Sequence, residues 1–326
     1  MIVLGFQVLT FSGCTTKDTF WIYSSIRHSS EEQLKEALAK EFPGVQVRWY
    51  LAGSEKIAQT LDAERATSSE QADLVISADP FWYFAKKKAG FFQAYNSPAN
   101  QTKLGPLNDP GHEFAAIRLM SVVIAYNPSK LSEADAPHSW KELLLPKWKK
   151  KVAIPNPLES GTTFAFIALL TRLYGQDYVD GLQRNEVEVG TTSDTVLARI
   201  EAGDRSVGVL LAEDALRAKK KGLAVLSIYP TDGAIAVPGY IAILKTTKSP
   251  ALARKIYDFF FSPAVQTIFL ENGMHSPLHP EVAPAGAKPW EQIHFVNGDW
   301  SGGWVAEVVS ARDATKKKFA EMFLKR

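Results

Sequence analysis

Leu119-Met120-Ser121-Val122-Val123-Ile124-Ala125-Tyr126, ended by Asn127-Pro128, is a long apolar run around which the pattern of the chain changes. A second run, Ala234-Ile235-Ala236-Val237-Pro238-Gly239-Tyr240-Ile241-Ala242-Ile243, follows the turn Tyr229-Pro230-Thr231-Asp232-Gly233. Each reads as a crossing between two compact units, and two crossings make a hinge. The segments on either side carry the same alternation. Before the first run come a strand over 19–24, an amphipathic helix over about 30–42 with Leu34, Leu38 and Phe42 on one face, and the stop Pro43-Gly44. A strand over 45–50, a turn at Ala52-Gly53-Ser54, a helix from near Glu55 and a strand over 72–77 complete that unit. Between the runs the order repeats: strand 151–154, helix 162–174, strand 186–189, helix 194–202, strand 206–211, helix 213–220. Strand and helix in alternation with short linkers predict a parallel sheet covered on both faces. The tail adds helices over 250–261, 263–272 and about 304–324. The last has an apolar stripe at Val305, Val308, Val309, Phe319 and Phe323, expected to pack on one lobe, with a partner-binding face as the alternative.

Composition agrees with two units. A chain of 326 residues with 46% hydrophobic and 22% charged residues is a globular balance too long for one ordinary core. Lys plus Arg (37) nearly cancels Asp plus Glu (35), so no global field favours nucleic acid or an anionic membrane surface. The basic runs at 86–88, 149–151, 219–221 and 316–318 sit beside or within helical patterns and read as solvated faces. A charged ligand must therefore be met locally.

The single cysteine, Cys14, closes the tetrad Phe11-Ser12-Gly13-Cys14 after the apolar stretch Met1 to Phe11. The tetrad resembles the lipobox of bacterial lipoproteins, which implies lipidation at Cys14 and a cell-envelope location; residues 1–18 are then a signal segment and tether. Phe11 departs from the usual leucine, and the basic start of a secretory signal is missing. The alternative is an ordinary buried thiol. One cysteine permits no internal disulfide.

An ordered series of short motifs then carries a resemblance: Tyr23-Ser24-Ser25, Ala78-Asp79-Pro80, Val123-Ile124-Ala125-Tyr126-Asn127, Ser139-Trp140-Lys141-Glu142-Leu143-Leu144, Pro157-Leu158-Glu159-Ser160-Gly161-Thr162-Thr163 and Asp232-Gly233-Ala234-Ile235-Ala236-Val237-Pro238. From about Thr19 to Pro280 the chain resembles the type II periplasmic solute-binding proteins of ABC transporters, in the ferric-iron and organophosphonate group. The resemblance implies an α/β, two-lobed fold with two parallel-core sheets joined by a two-crossing hinge. Lobe 1 is expected to comprise 19–118 plus 236–326, and lobe 2 to comprise 119–235 with the crossings. It also implies a monomer that serves an ABC permease, needs no cofactor, and meets the membrane only through the lipid anchor.

Iron-binding members of that group carry a Tyr-Tyr pair near the last strand of the second lobe. Here that stretch reads Leu210-Leu211-Ala212-Glu213-Asp214-Ala215-Leu216, and the six histidines show no paired helical spacing, so no metal site is expected. What remains is a set of hydroxyl residues where strands end and helices begin: Ser24, Ser25, Ser54, Ser160, Gly161, Thr162, Thr163, Thr192 and Ser193. Unsatisfied N–H groups at such helix starts carry partial positive charge and receive phosphates, phosphonates or carboxylates. N-capping alone is the competing reading of each hydroxyl. Gly161 would let backbone approach an anion. Arg118 supplies either a fork to an oxyanion or an interlobe ion pair. Glu213 and Asp214 either cap a helix start or accept from hydroxyls or an amine on the ligand. Asp79 is a further candidate contact and Asp232 a weaker one; the aromatics Trp21, Trp49, Phe81, Trp82, Tyr83 and Phe84 read as core, and among them Trp82 or Tyr83 is the best candidate to cover a ligand.

The expected function is therefore extracytoplasmic capture of a small anionic ligand (organophosphate, phosphonate or sugar phosphate) by hinge closure, with ferric iron as the alternative. A ligand sensor for a chemoreceptor is a reading of another class, as is an enzyme on the same scaffold. No Gly-x-Ser-x-Gly elbow, dinucleotide loop, His-Glu-x-x-His or catalytic cysteine supports an enzyme.

Overall fold

The computed structural model describes residues 19–26, 29–285, 287–296, 300 and 303–325. Cys14 and its tetrad lie outside the described residues. In chain order the elements are β1 (Thr19–Ser24), α1 (Ser29–Glu41), β2 (Gln46–Leu51), α2 (Ser54–Ala66), β3 (Leu74–Ser77), α3 (Pro80–Lys88), β4 (Phe92–Gln93) and β5 (Ala115–Tyr126). Then follow β6 (Val152–Pro155), α4 (Gly161–Tyr174), α5 (Gln176–Arg184), β7 (Glu188–Gly190), α6 (Ser193–Ala202), β8 (Val207–Leu211), α7 (Ala212–Lys220) and β9 (Leu226–Ile228). The last are β10 (Ala234–Leu244), α8 (Pro250–Phe259), α9 (Pro263–Glu271), β11 (Phe295–Val296) and α10 (Gly303–Phe323).

The sheet runs β2-β1-β3-β10-β5-β8-β6-β7. β1 pairs in parallel with β2 and β3, and β6 pairs in parallel with β7 and β8, so each outer half is a parallel trio. The two apolar runs join them. β5 and β10 pair antiparallel along most of their length and are buried at every position, because both faces of both strands meet packed layers. Their composition, apolar but for Arg118 and Ser121 of β5, follows from that burial. The fold class expected from the alternation is borne out, with one refinement: the two halves share a single curled sheet through this pair.

Helices bury the faces. α4 is apolar nearly all round and has nine buried residues, of which Phe164, Phe166 and Leu170 each contribute about 1.5–3 kcal/mol. α3 starts at Pro80 with the Asp79 carboxylate accepting from the Trp82 N–H, and α9 starts at Pro263 under a Ser262 cap. Predicted and observed bounds agree to within a residue or two, except that β5 begins four residues before the run read from the sequence and that α3, α5 and the short strands β4, β9 and β11 are not predicted. No helix among the described residues is long and apolar enough to cross a membrane.

Candidate functional site

The carboxyl edges of the two parallel trios face each other across a cavity of about 290 Å³. Five helices begin on its wall: α1 beside Ser30, α2 at Ser54, α4 beside Ser160 and Thr162, α6 at Ser193, and α7 beside Glu213 and Asp214. Strand-end loops of a parallel sheet are where helix N-termini gather, and their free N–H groups bias such a cavity toward negative charge. The starts of α2 and α7 have no side-chain cap, following Gly53 and Leu211 respectively. The start of α4 is capped by Ser160, whose Oγ accepts from the Thr163 N–H and lies 2.8 Å from Thr162 Oγ1.

The halves touch at two seams that bound the cavity. At the first, the Gly161 N–H donates to Ser54 Oγ at 2.8 Å, and a methyl group at Gly161 would lie 2.8 Å from Asp79 Cγ and 2.9 Å from Ser54 Oγ. At the second, Gly273 abuts the backbone of Glu213, and Lys220 Nζ donates to the Glu271 carbonyl at 2.8 Å.

Arg118 forms the floor. It sits on β5 opposite Gly239 of β10, and a methyl group at Gly239 would lie 2.6 Å from Arg118 Nε, so this glycine is what makes room for the guanidinium. The side chain is only 3% exposed. Its Nη1 donates to the sulfur of Met274 at 2.9 Å, a weak acceptor, and its plane lies 5.8 Å from the centre of the Phe269 ring. Its Nε has no partner, and no carboxylate among the described residues pairs with it. Of the two readings of Arg118, the interlobe salt bridge is therefore absent. Burial pushes its pKa down and the nearby Glu213 charge opposes that shift. Glu213, on the facing wall, is pushed up to about 7, chiefly because burial disfavours its charged form, against the pull of Arg118. Asp214 is already engaged: Arg217 bridges it and Asp194 at 2.9 Å each.

The structure brings Ser25, Ser54, Arg118, Ser160, Thr162, Ser193, Glu213 and Asp214 to one cavity wall, although they come from both halves. It does not bring the other candidates there. Ser24 is fully buried with its Oγ accepting from the Ile26 N–H. Asp79 is fully buried and held by Arg312, while Gly161 spends its N–H on Ser54. Thr163 is buried behind the helix start, and Thr192 caps α6 by accepting from the Thr195 N–H. Trp82 and Tyr83 do not cover the cavity: both pack in the first half's aromatic core, where Tyr83 Oη donates to backbone carbonyls of Val75 and Tyr240. Asp232 is structural, accepting from the Trp140 N–H at 3.0 Å and the Tyr174 hydroxyl at 2.9 Å. Sequence reasoning missed Ser30, Ala78, Met120, Asp194, Leu211, Leu216, Arg217, Asn272 and Met274 on the wall, and Lys220 and Lys221, read as part of a solvated basic run, also line it. The apolar ones carry no signal that separates a wall from a core, and Asn272-Gly273 reads as an ordinary helix stop.

A cavity of this size, roofed by five helix starts and floored by a buried cation without a carboxylate partner among the described residues, defines a two-lobed ligand-binding protein. Comparison with known proteins places it further: residues 69–300 match the family of bacterial extracellular solute-binding proteins, and the chain belongs to that family. It is 25% identical over 282 residues to a Salmonella typhimurium protein provisionally described as a 2-aminoethylphosphonate-binding periplasmic protein, covering 82% of this chain and 80% of that one. It also matches an uncharacterized Haemophilus influenzae protein at 23% identity over 175 residues, spanning about half of that relative (51%) and 52% of this chain. Among solved structures, the periplasmic binding protein AfuA of Actinobacillus pleuropneumoniae, with exogenous fructose-6-phosphate bound, superposes with a TM-score of 0.82 at 19% identity, over 94% of this chain and 99% of that one. The resemblance drawn from the ordered motifs, to type II periplasmic solute-binding proteins of ABC transporters, is borne out.

Proposed function

We propose that this chain is the solute-binding component of an ABC importer that captures a small organic anion, an organophosphate, phosphonate or sugar phosphate, by closing its two halves about β5 and β10. The observation that carries the ligand class is Arg118, a buried guanidinium without a carboxylate partner on the floor of the interlobe cavity. An unpaired buried charge is costly, and an oxyanion bound in the cavity would supply the missing partner and the bidentate geometry. The uncapped starts of α2 and α7 add partial positive charge on the same wall. A volume near 290 Å³ is about tenfold the share of one water molecule, which supports a ligand with a carbon skeleton beside its anionic group. Met120, Leu211, Leu216 and Met274 offer that skeleton apolar contact. Among the described residues the cavity wall carries no tyrosine or histidine, so direct ferric coordination has less support than an organic anion.

In this reading the units that move are 19–118 with 236–326 and 119–235, the closed form is presented as a monomer to a membrane permease, and Cys14 tethers the protein to the envelope by a lipid. A thermal-shift panel on protein stripped of copurified ligand tests the class, comparing sugar phosphates, phosphonates, inorganic phosphate, ferric citrate and polyamines. A ligand at a hundred times its dissociation constant adds about 2.7 kcal/mol. The expected result is stabilisation by an organophosphate or phosphonate that is lost in Thr162→Val; stabilisation by iron or polyamines alone overturns the ligand class.

A further inference from the structure

α10 joins the two halves at a place remote from the crossing strands. Its Arg312 donates to both Asp79 and Glu55, with Nη1 at 3.1 Å from Asp79 Oδ1, and Lys316 pairs with Glu55 at 2.5 Å. Asp79 and Glu55 belong to the starts of α3 and α2 in the first half, and both are buried, so these ion pairs are shielded from solvent. The same guanidinium lies 4.6 Å from the ring centre of Phe164, on α4 of the second half. Further along, Arg172 of α4 lies 4.7 Å from the ring of Trp304, and Gln183 Nε2 of α5 donates to the Met322 carbonyl at 2.9 Å. Elsewhere the packing of α10 on α4 and α5 is loose: a cavity of about 230 Å³, lined by apolar residues such as Ile167, Val179, Val308 and Phe319, separates them. The helix is thus anchored ionically to the first half and rests on the second through cation–π, apolar and single hydrogen-bond contacts.

The ion cluster also lies at the seam. Asp79, which Arg312 holds, is the group a methyl at Gly161 would strike, and Glu55 adjoins Ser54, which accepts from Gly161. We propose that Arg312 is a positioning residue for capture: by tying the starts of α2 and α3 to Phe164 across the seam, it makes α10 a third connection between the halves and biases them toward the closed arrangement. This rests on closure of the two halves and not on the identity of the ligand. When the halves part, the Asp79 and Glu55 pairs stay with the first half, while the stack on Phe164 is broken. Closing restores a guanidinium–aromatic contact in a partly desolvated setting.

The test uses the full chain without ligand, with Cys14→Ser and spin labels introduced at exposed Ala39 and Ala202, one on each half, to measure the distance between them. Arg312→Gln is expected to raise the population of the longer distance by about tenfold, the effect of one partly desolvated cation–π contact, and Phe164→Leu by at least as much, because it also removes the edge contact with the Phe81 ring of the first half. Arg312→Lys is expected to be intermediate, because it keeps the charge and loses the planar stack. Lys316→Ala leaves Arg312 in place but removes the Glu55 pair and a longer approach to the Phe164 ring, 5.7 Å from Lys316 Nζ, and is expected to shift the distribution less than Arg312→Gln. Should Arg312→Gln not fold, Phe164→Leu and Arg312→Lys decide. Distance distributions that match the parent in the folded variants, even with a lowered melting temperature, overturn the proposal by reducing α10 to a packing element. A null thermal-shift panel would overturn the ligand class and leave this measurement unaffected.

Discussion

Replacing Arg118 with methionine should stabilise the unliganded protein and weaken its ligand, in opposite directions from one substitution. Methionine keeps a long unbranched side chain that fits beside Met274 and Phe269, so the packing change is small. What it removes is a charge that is 3% exposed, whose Nε has no partner and whose Nη1 reaches only a thioether. A buried uncompensated charge destabilises by about 3–5 kcal/mol; the neighbouring Glu213 and water in the cavity reduce this to about 2 kcal/mol. With an unfolding entropy of about 2.1 cal/mol/K per residue, a folded unit of roughly 300 residues converts that into a rise of about 3 °C in Tm. On the binding side, hydrogen bonds to a charged group contribute about 1.5–3 kcal/mol, so the dissociation constant should weaken about 10- to 150-fold. Differential scanning calorimetry of stripped protein measures the first effect, and calorimetric titration with the ligand selected by the thermal-shift panel measures the second. A variant with a lower Tm and an unchanged dissociation constant would refute the reasoning, since Arg118 would then be a structural residue.

Three other outcomes follow from the same geometry. Gly239→Ala puts a methyl 2.6 Å from Arg118 Nε and must displace the guanidinium, so it should mimic Arg118→Met in affinity while lowering stability instead of raising it, by about 1–3 kcal/mol in a chemical melt. Gly161→Ala meets Asp79 and Ser54 at the seam and should hold the halves apart, reducing affinity without touching the cavity floor; small-angle scattering of the liganded variant should show the larger radius. Glu213 gives a pH signature: burial, its largest influence, holds its proton up to about pH 7, whereas the unfolded chain releases it near 4.5. The native state therefore binds more protons in that window, so this group makes stability fall as pH rises from 4.5 to 7. An anionic ligand favours the protonated form, so affinity should fall by up to about tenfold per pH unit as pH rises through 7, and Glu213→Gln should flatten the profile. Affinity that rises with pH in wild type would instead mark an amine as the group facing Glu213.

Much of the fold was legible because local pattern and final environment coincide. β5 and β10 read as uninterrupted apolar runs since they are buried at every position, and the parallel trios read as short strands separated by helices with ordinary caps. α3 escaped because Phe81 to Phe84 is an aromatic block without helical spacing, its rings divided between two core layers. α5 escaped because Gly175 ends the α4 pattern and the residues after it are mostly polar, with a narrow face at Tyr178, Val179 and Leu182. The cavity was legible where its contacts are helix starts, as at Ser54, Ser160 and Ser193. It was not legible where partners lie far apart in the chain: Arg312 reaches an Asp79 that is 233 positions away, and no local signal announces that Asp79 is thereby withdrawn from the ligand. Trp82 and Tyr83 read as core residues, and the packing of Phe92, Phe114 and Tyr240 shows why neither is left to cover a ligand: their side of α3 faces the core.

The account stands most directly on what the cavity holds in the protein as purified. Denaturing gently prepared wild-type protein and its Arg118→Met variant, then analysing the released small molecules by mass spectrometry with parallel phosphorus and iron determination, measures this without choosing a ligand in advance. The account predicts a phosphorus-bearing organic anion released from wild type in amounts approaching equimolar and depleted in the variant. Iron in its place, or a ligand retained equally by both proteins, would contradict it.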